Sequence, residues 1–310
     1  MGFARTINDM PPMDAGSSDH HHSDNQWPRE FFIPVSDLGS KHSRRLLFLD
    51  GAGGFGLGFW LHSHFVRHTK TWVKETCLKR NGFADNCPLC DHQEMYVDKK
   101  TGEEKTKIWY PDYVGSLTII MLGTPENYRA DGGKLKTKIN PLVREYKGKE
   151  YFTSFERMNL LLRRGSEKYP KALTHVHDLV SQQTGAEVPN LQGLIMDTYR
   201  SDDKSDNVGD SWSLITRNDE PWRITPDKYL DYLKYMGAPD SFDVTQLEPM
   251  DHEQRWAPKS YMELREILDN ANGMTKASGQ GYEGPRQPVA PQGAGYDEGP
   301  QYGSEDDLPF

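Results

Sequence analysis

Cysteine is scarce in this chain: 310 residues hold only three, Cys77, Cys87 and Cys90, all in one short window. An odd number placed so closely excludes a disulfide-stapled scaffold. Long apolar runs are also missing, so no segment reaches the roughly 20 residues that a membrane-spanning helix needs. The N-terminal stretch lacks the apolar core of a signal peptide, and with so few cysteines the expected home is a reducing cytoplasm. No phosphate-binding loop, carboxylate cluster or Cys–His nucleophile pair emerges. The glycine-dense turn from Gly51 to Gly58 runs into Phe59-Trp60-Leu61-His62, which is strand-like, so it offers no helix start on which a pyrophosphate could sit.

What is present is a knuckle, Cys87-Pro88-Leu89-Cys90, with Cys77 just before it. Zinc needs four donors, and His62, His64 or His68 could supply the fourth, making a Cys₃His set with no open position for a reacting water. A redox pair would leave Cys77 unused. Haem attachment would need His where Asp91 stands, and a zinc deaminase would need His-x-Glu upstream of Pro-Cys-x-x-Cys. Both are excluded.

The net charge of −9 hides a division. From Lys41 to Lys171 there are 24 basic and 15 acidic residues, so a basic middle lies between acidic ends. A basic block of this kind is the footprint of phosphate binding. Aromatic residues are interleaved with it. Trp60, Phe65 and Trp72 stand among Arg67, Lys70 and Lys74, and Trp109, Tyr110 and Tyr113 follow Lys105 and Lys107. Rings beside cations suit single-stranded nucleic acid, because every base has a π-face and every nucleotide a phosphate. Some of these rings are also expected to fill the core.

Residues 1–40 read as disordered, with His20, His21 and His22 in a solvated low-complexity patch. Residues 41–220 read as the core. Strands are expected at Arg45–Leu49, at Phe59–His62, at Thr71–Thr76, at Lys149–Thr153 and, most strongly, over Ser116–Leu122. The knuckle is expected to open a short helix over Asp91–Tyr96, and Asp98–Lys107 is expected to be a charged, turn-forming connection. Ser154 is expected to cap a helix carrying Phe155, Met158, Leu161 and Leu162 on one face. A helix over Ala172–Gln183 ends at Gly185, and Gly193–Arg200 with Asp210–Thr216 forms a hairpin. The fold class is therefore mainly β with α: an OB-type barrel with an inserted zinc-binding subdomain at about 62–98, a helical extension over 221–270 and a linker with an acidic tip over 271–310.

His64, Cys77, Cys87 and Cys90, with twelve, nine and two residues between them, have the order and spacing of the zinc ligands in the helix-destabilising, single-stranded-DNA-binding proteins of T-even-type phages. Phe48-Leu49, Trp72, Glu75-Thr76-Cys77 and Cys87-Pro88-Leu89-Cys90 are similar as well. The resemblance implies His64 as the fourth ligand, one Zn²⁺ per chain and an OB core. It spans Arg44 to Arg217 as architecture and Arg44 to Asp91 by motif. It departs at the N-terminus, where that family carries a basic segment and here Arg5 is the only Lys or Arg before Arg29.

The last residues, Ser304-Glu305-Asp306-Asp307-Leu308-Pro309-Phe310, resemble the acidic tip of bacterial single-stranded-DNA-binding proteins. Together the resemblances imply a non-enzymatic protein of phage origin in the host cytoplasm. It would coat single-stranded DNA in replication, recombination and repair, and recruit proteins of those processes through Asp306, Asp307, Leu308, Pro309 and Phe310. The alternative reading is a zinc-containing nuclease or primase component.

Phe310→Ala should abolish capture of such enzymes while barely changing DNA affinity, because it removes the apolar anchor and keeps the charges. A pull-down in which the variant retains every partner would refute the hook.

Overall fold

The computed structural model describes residues 27–272, apart from 67–68, 70, 99, 130–134, 147–148, 153 and 166–170. The strands, in chain order, are β1 (Arg29–Glu30), β2 (Arg44–Phe48), β3 (Leu57–Val66), β4 (Thr71–Thr76), β5 (Gln93–Val97), β6 (Glu104–Ile108), β7 (Asp112–Arg129), β8 (Leu135–Asn140), β9 (Val143–Tyr146), β10 (Lys149–Phe152), β11 (Glu156–Arg163), β12 (Ile195–Tyr199) and β13 (Ser211–Leu214). Four helices join them: α1 (Ala172–Thr184), α2 (Tyr229–Tyr235), α3 (His252–Arg255) and α4 (Tyr261–Ala271). The protein is mainly β, with a mixed sheet. None of the helices among the described residues is long and apolar enough to cross a membrane.

β7 is the spine. Val114–Gly123 are buried without a break, which is why the sequence shows an apolar run there and not an alternation. One edge of β7 pairs antiparallel with β11 over Val114–Met121. Its other pairings run along the strand in sequence, with β3 over Asp112–Ser116, β2 over Ile119–Gly123 and β8 over Thr124–Arg129. β12 and then β13 extend the sheet beyond β2.

The sheet does not close into the expected barrel. Its hydrogen-bonded order runs β1-β11-β7-β2-β12-β13, and the described residues contain no ladder joining the two ends. The gap is instead bridged by the chain after β1. The Ile33 amide donates to the Asn207 carbonyl at 2.7 Å, Leu38 bridges Arg200, and the Arg200 guanidinium donates to the Ile33 carbonyl at 3.0 Å. Phe31 and Ile33 sit in the main core with Leu117, Leu160, Val176 and Met196. The expectation of disorder up to residue 40 is therefore corrected for 27–40, and residues 1–26 lie outside the described residues.

Two local expectations fail. The stretch 156–163 is a strand, not a helix: Leu160 and Leu162 enter the main core, while Leu161 enters a cluster with Phe59, Leu61, Val114 and Trp256 on the other face. A strand buried on both faces has no alternation to read, and its apolar residues mimic a helical face. Similarly, 93–97 forms β5, hairpinned to β6, in place of the helix expected after the knuckle, and β6 takes up the later part of the connection placed at Asp98–Lys107. α1, its left-handed cap at Gly185 and the β12–β13 hairpin stand as expected.

The segment 221–272 packs along the molecule. α2 covers the sheet through Tyr229, Tyr232 and Leu233, and α4 buries Leu264 and Leu268 against the cysteine-bearing lobe. Between them α3 is anchored by a buried polar chain. His252 Nε2 meets the Asp50 carboxylate at 2.7 Å, His252 Nδ1 meets Ser116 Oγ at 2.9 Å, and the Trp256 indole donates to Ser116 Oγ at 3.0 Å.

Removing one member of this chain strands buried polar groups, each costing about 1–3 kcal/mol. His252→Ala should therefore lower stability by about 2–4 kcal/mol in urea unfolding. A change below about 0.5 kcal/mol, the size typical of surface substitutions, would contradict the anchor.

Candidate functional site

β3 and β4 form an antiparallel hairpin whose two faces do different work. The register pairs Leu61 with Thr76, His62 with Glu75, His64 with Val73 and Phe65 with Trp72. Side chains alternate along a strand, so His62, His64 and Val66 share one face and Ser63 and Phe65 the other. The first face meets the loop 77–90. There His62, Cys77, Cys87 and Cys90 bring one donor atom each to within 4.8 Å of one another.

This is the Cys₃His set, with His62 in place of His64. The reason lies in the register: the Cys77 amide donates to the Trp60 carbonyl at 2.9 Å, so Cys77 lies two residues from His62 and four from His64 along β3. At about 3.3 Å per residue, His64 lies roughly 13 Å along the strand from that level. The side chain of Asn81 fixes the loop: it accepts from the Trp60 amide at 2.9 Å and donates to the carbonyls of Trp60 at 2.9 Å and Cys77 at 2.7 Å. Sequence reasoning missed Asn81. Its one signal was the turn-forming Asn81-Gly82 pair, with Gly82 at φ +70°.

The distances suit a tetrahedral ion. His62 Nε2 lies 3.6 Å from Cys87 Sγ and 3.5 Å from Cys90 Sγ, and Cys77 Sγ lies 3.4 Å from Cys90 Sγ. Ordinary Zn–N and Zn–S bond lengths imply N···S edges of about 3.6 Å and S···S edges of about 3.8 Å. The set could hold a metal ion and is compatible with zinc. Nε2 is the His62 nitrogen that faces the thiols and so the one placed to ligate, while Nδ1 is buried without a hydrogen-bond partner among the described residues. Hydrogen bonds from Cys77 and Cys90 hold the Cys87 thiol far below its ordinary range, and the proton shared with Cys87 pushes Cys77 up to about 11. Cys90 is likewise raised, by its hydrogen bonds to Cys77 and Cys87. A divalent cation would relieve that conflict and let all three ionise.

His64 has another task. Its ring stacks on Trp109 at 4.9 Å and 19°, and its Nε2–H donates to the Tyr110 carbonyl at 3.2 Å. Burial, with His62 and Lys107 nearby, pushes its imidazole down to about 4. Trp109 is fully buried, between His64, His92 and the apolar side of α4. Base stacking on Trp109 is thus corrected: it is core.

The second face of the hairpin is open. Phe65 is 40 % exposed and Trp72 48 % exposed, their rings 5.6 Å apart, and Lys74 Nζ lies 5.6 Å from the Trp72 ring. Lys74 is also engaged by Glu30 at 2.6 Å, and Lys105 by Asp98 at 2.6 Å. Lys107 is exposed and Tyr110 is 63 % exposed. Trp60 and Tyr113 are half-buried and pack edge-to-face at 5.5 Å, with Arg80 over the Trp60 ring. Arg67, Lys70 and the tip residues Asp306–Phe310 lie outside the described residues. Part of the basic block is internal: Arg44 pairs with Asp37, and Arg45 is bidentate to Asp197 at 2.7 Å.

Comparison with protein-family models, curated proteins and solved structures gives no match to this chain.

His62→Ala should abolish stoichiometric metal binding, measured by elemental analysis after dialysis, and His64→Ala should keep it. The reverse pattern would overturn the register argument.

Proposed function

We propose that the chain is a non-enzymatic, sequence-independent single-stranded-DNA-binding protein of the kind found in T-even-type phages, acting in the host cytoplasm in replication, recombination and repair. The observation that carries this reading is the exposed Phe65–Trp72 pair on a hairpin whose opposite face is fixed by the Cys₃His set. Two large rings exposed side by side form an apolar patch of the kind that marks an interaction surface, and flat rings beside Lys74 take any base. Tyr110 and Lys107 add a second exposed ring and cation.

In this reading the metal is one structural Zn²⁺ per chain. Four protein donors leave no position for substrate water, and the ion's part is to hold the loop 77–90 against β3 so that the hairpin keeps its shape. The curved, open sheet around β7 stands for the OB-type core of the resemblance, with the segment 31–38 across the gap. The tail tip remains the proposed partner hook. The enzyme alternative gains nothing from the hydroxyl–imidazole–carboxylate chain of Ser116, His252 and Asp50, since Ser116 has no exposed surface from which to attack a substrate.

Trp72→Ala should weaken binding to oligo-dT by about 1–3 kcal/mol at every salt concentration. Lys107→Ala should instead reduce the log–log salt slope by about 0.7, the share of one phosphate contact on a single strand. Fluorescence anisotropy titrations at two salt concentrations check both. Unchanged affinity in Trp72→Ala would remove the main support for the reading.

A further inference from the structure

Beyond the hairpin, an unassigned segment rich in basic residues lies where β7 leaves the sheet. Gly123, at φ +141°, marks the departure, and a Cβ there would stand 2.5 Å from the Asn140 carbonyl oxygen. Past it, β7 and β8 continue as a two-stranded ribbon, and Glu126–Arg129 change from the buried pattern of the spine to exposed. From Tyr128 to Lys149 the sequence holds seven basic residues and two acidic ones, in a chain of net charge −9.

The register organises this charge. Tyr128 stands directly opposite Lys136, and Glu126 opposite Lys138, so all four share one face of the ribbon, while Arg129 stands on the other. Tyr128 is 40 % exposed, and Lys136 and Arg129 are exposed. Among the described residues only Lys138 of the three cations has an ion-pair partner, Glu126 at 3.1 Å. Tyr128 and Lys136 thus set a ring and a solvated lysine side by side as a cross-strand pair. The pair lies at the far end of the strand that carries Tyr113.

We propose that the β7–β8 ribbon is a second contact for single-stranded nucleic acid, with Tyr128 stacking on a base and Lys136 meeting a phosphate. This inference rests on the functional reading above and extends its footprint. Tyr113 and Tyr128 are roughly 50 Å apart along a straight strand at 3.3 Å per residue, and closer after the bend at Gly123. A short strand held at the β3–β4 hairpin cannot reach the ribbon, whereas a longer one engages both.

The test is the affinity of full-length protein and of the Tyr128→Ala/Lys136→Ala double variant for oligo-dT of about five and about sixteen nucleotides, the range of site sizes of single-strand-binding folds. Both residues are exposed, so the variant should melt like the parent. The expected result is an unchanged affinity for the short oligonucleotide, about a five- to hundred-fold loss on the long one and a shallower salt slope. Lys136→Arg should bind both as the parent does. An unchanged affinity for the long oligonucleotide, or an equal loss on both lengths, would overturn the ribbon contact while leaving the functional reading in place. A parent protein that binds neither oligonucleotide would overturn the functional reading itself.

Discussion

Every backbone N–H and C=O of a buried strand needs a partner, and β7 is an 18-residue strand that obtains them from four other strands. That requirement orders the molecule. β11 takes one edge, β3 and β2 share the other in succession, and β8 takes over where β2 ends, so each stretch of β7 has its own partner. The metal lobe hangs from β3, the basic ribbon is the free end of β7 itself, and the polar chain through His252 and Ser116 ties the C-terminal segment to the middle of the same strand. Displacing β7 would separate all three.

The β3–β4 hairpin converts this scaffold into a site. Alternation gives it one face for the lobe and one for solvent, and a metal held by His62, Cys77, Cys87 and Cys90 would lock the first while the second carries the exposed rings. α4 reinforces the arrangement from outside. Leu264, Leu268 and Ala271 pack with Leu78, Leu89 and Trp109, so the lobe is a small apolar core as well as a ligand set. A metal ion held by this set and docking of the C-terminal helix would thus support the same few side chains.

What the sequence revealed and concealed follows from how each feature is encoded. The three thiols, the buried run of β7, α1 with its terminal glycine and the β12–β13 hairpin are local signals and were legible. The choice between His62 and His64 was not, because both lie on one face of β3 and only the pairing register tells which is level with Cys77. Among the rings placed beside cations, Trp72 faces solvent, whereas Trp109 is core although its charged neighbours suggested a surface. In each case the deciding fact is which face of a strand meets which lobe, and that is a tertiary property. The helix expected over 156–163 failed because burial on two faces erases the period of a strand. The closing role of Phe31 and Ile33 was masked by the polar composition around them.

The most direct test of the central claim is a pair of titrations. Quenching of the intrinsic tryptophan fluorescence would be followed as full-length, metal-replete protein is titrated with poly-dT and, separately, with duplex DNA at moderate salt. The account predicts strong, salt-sensitive quenching by the single strand and much weaker binding to the duplex, because stacking on Trp72 and Phe65 needs bases that are free of a partner. Equal affinity for the two, or no binding to either, would contradict it.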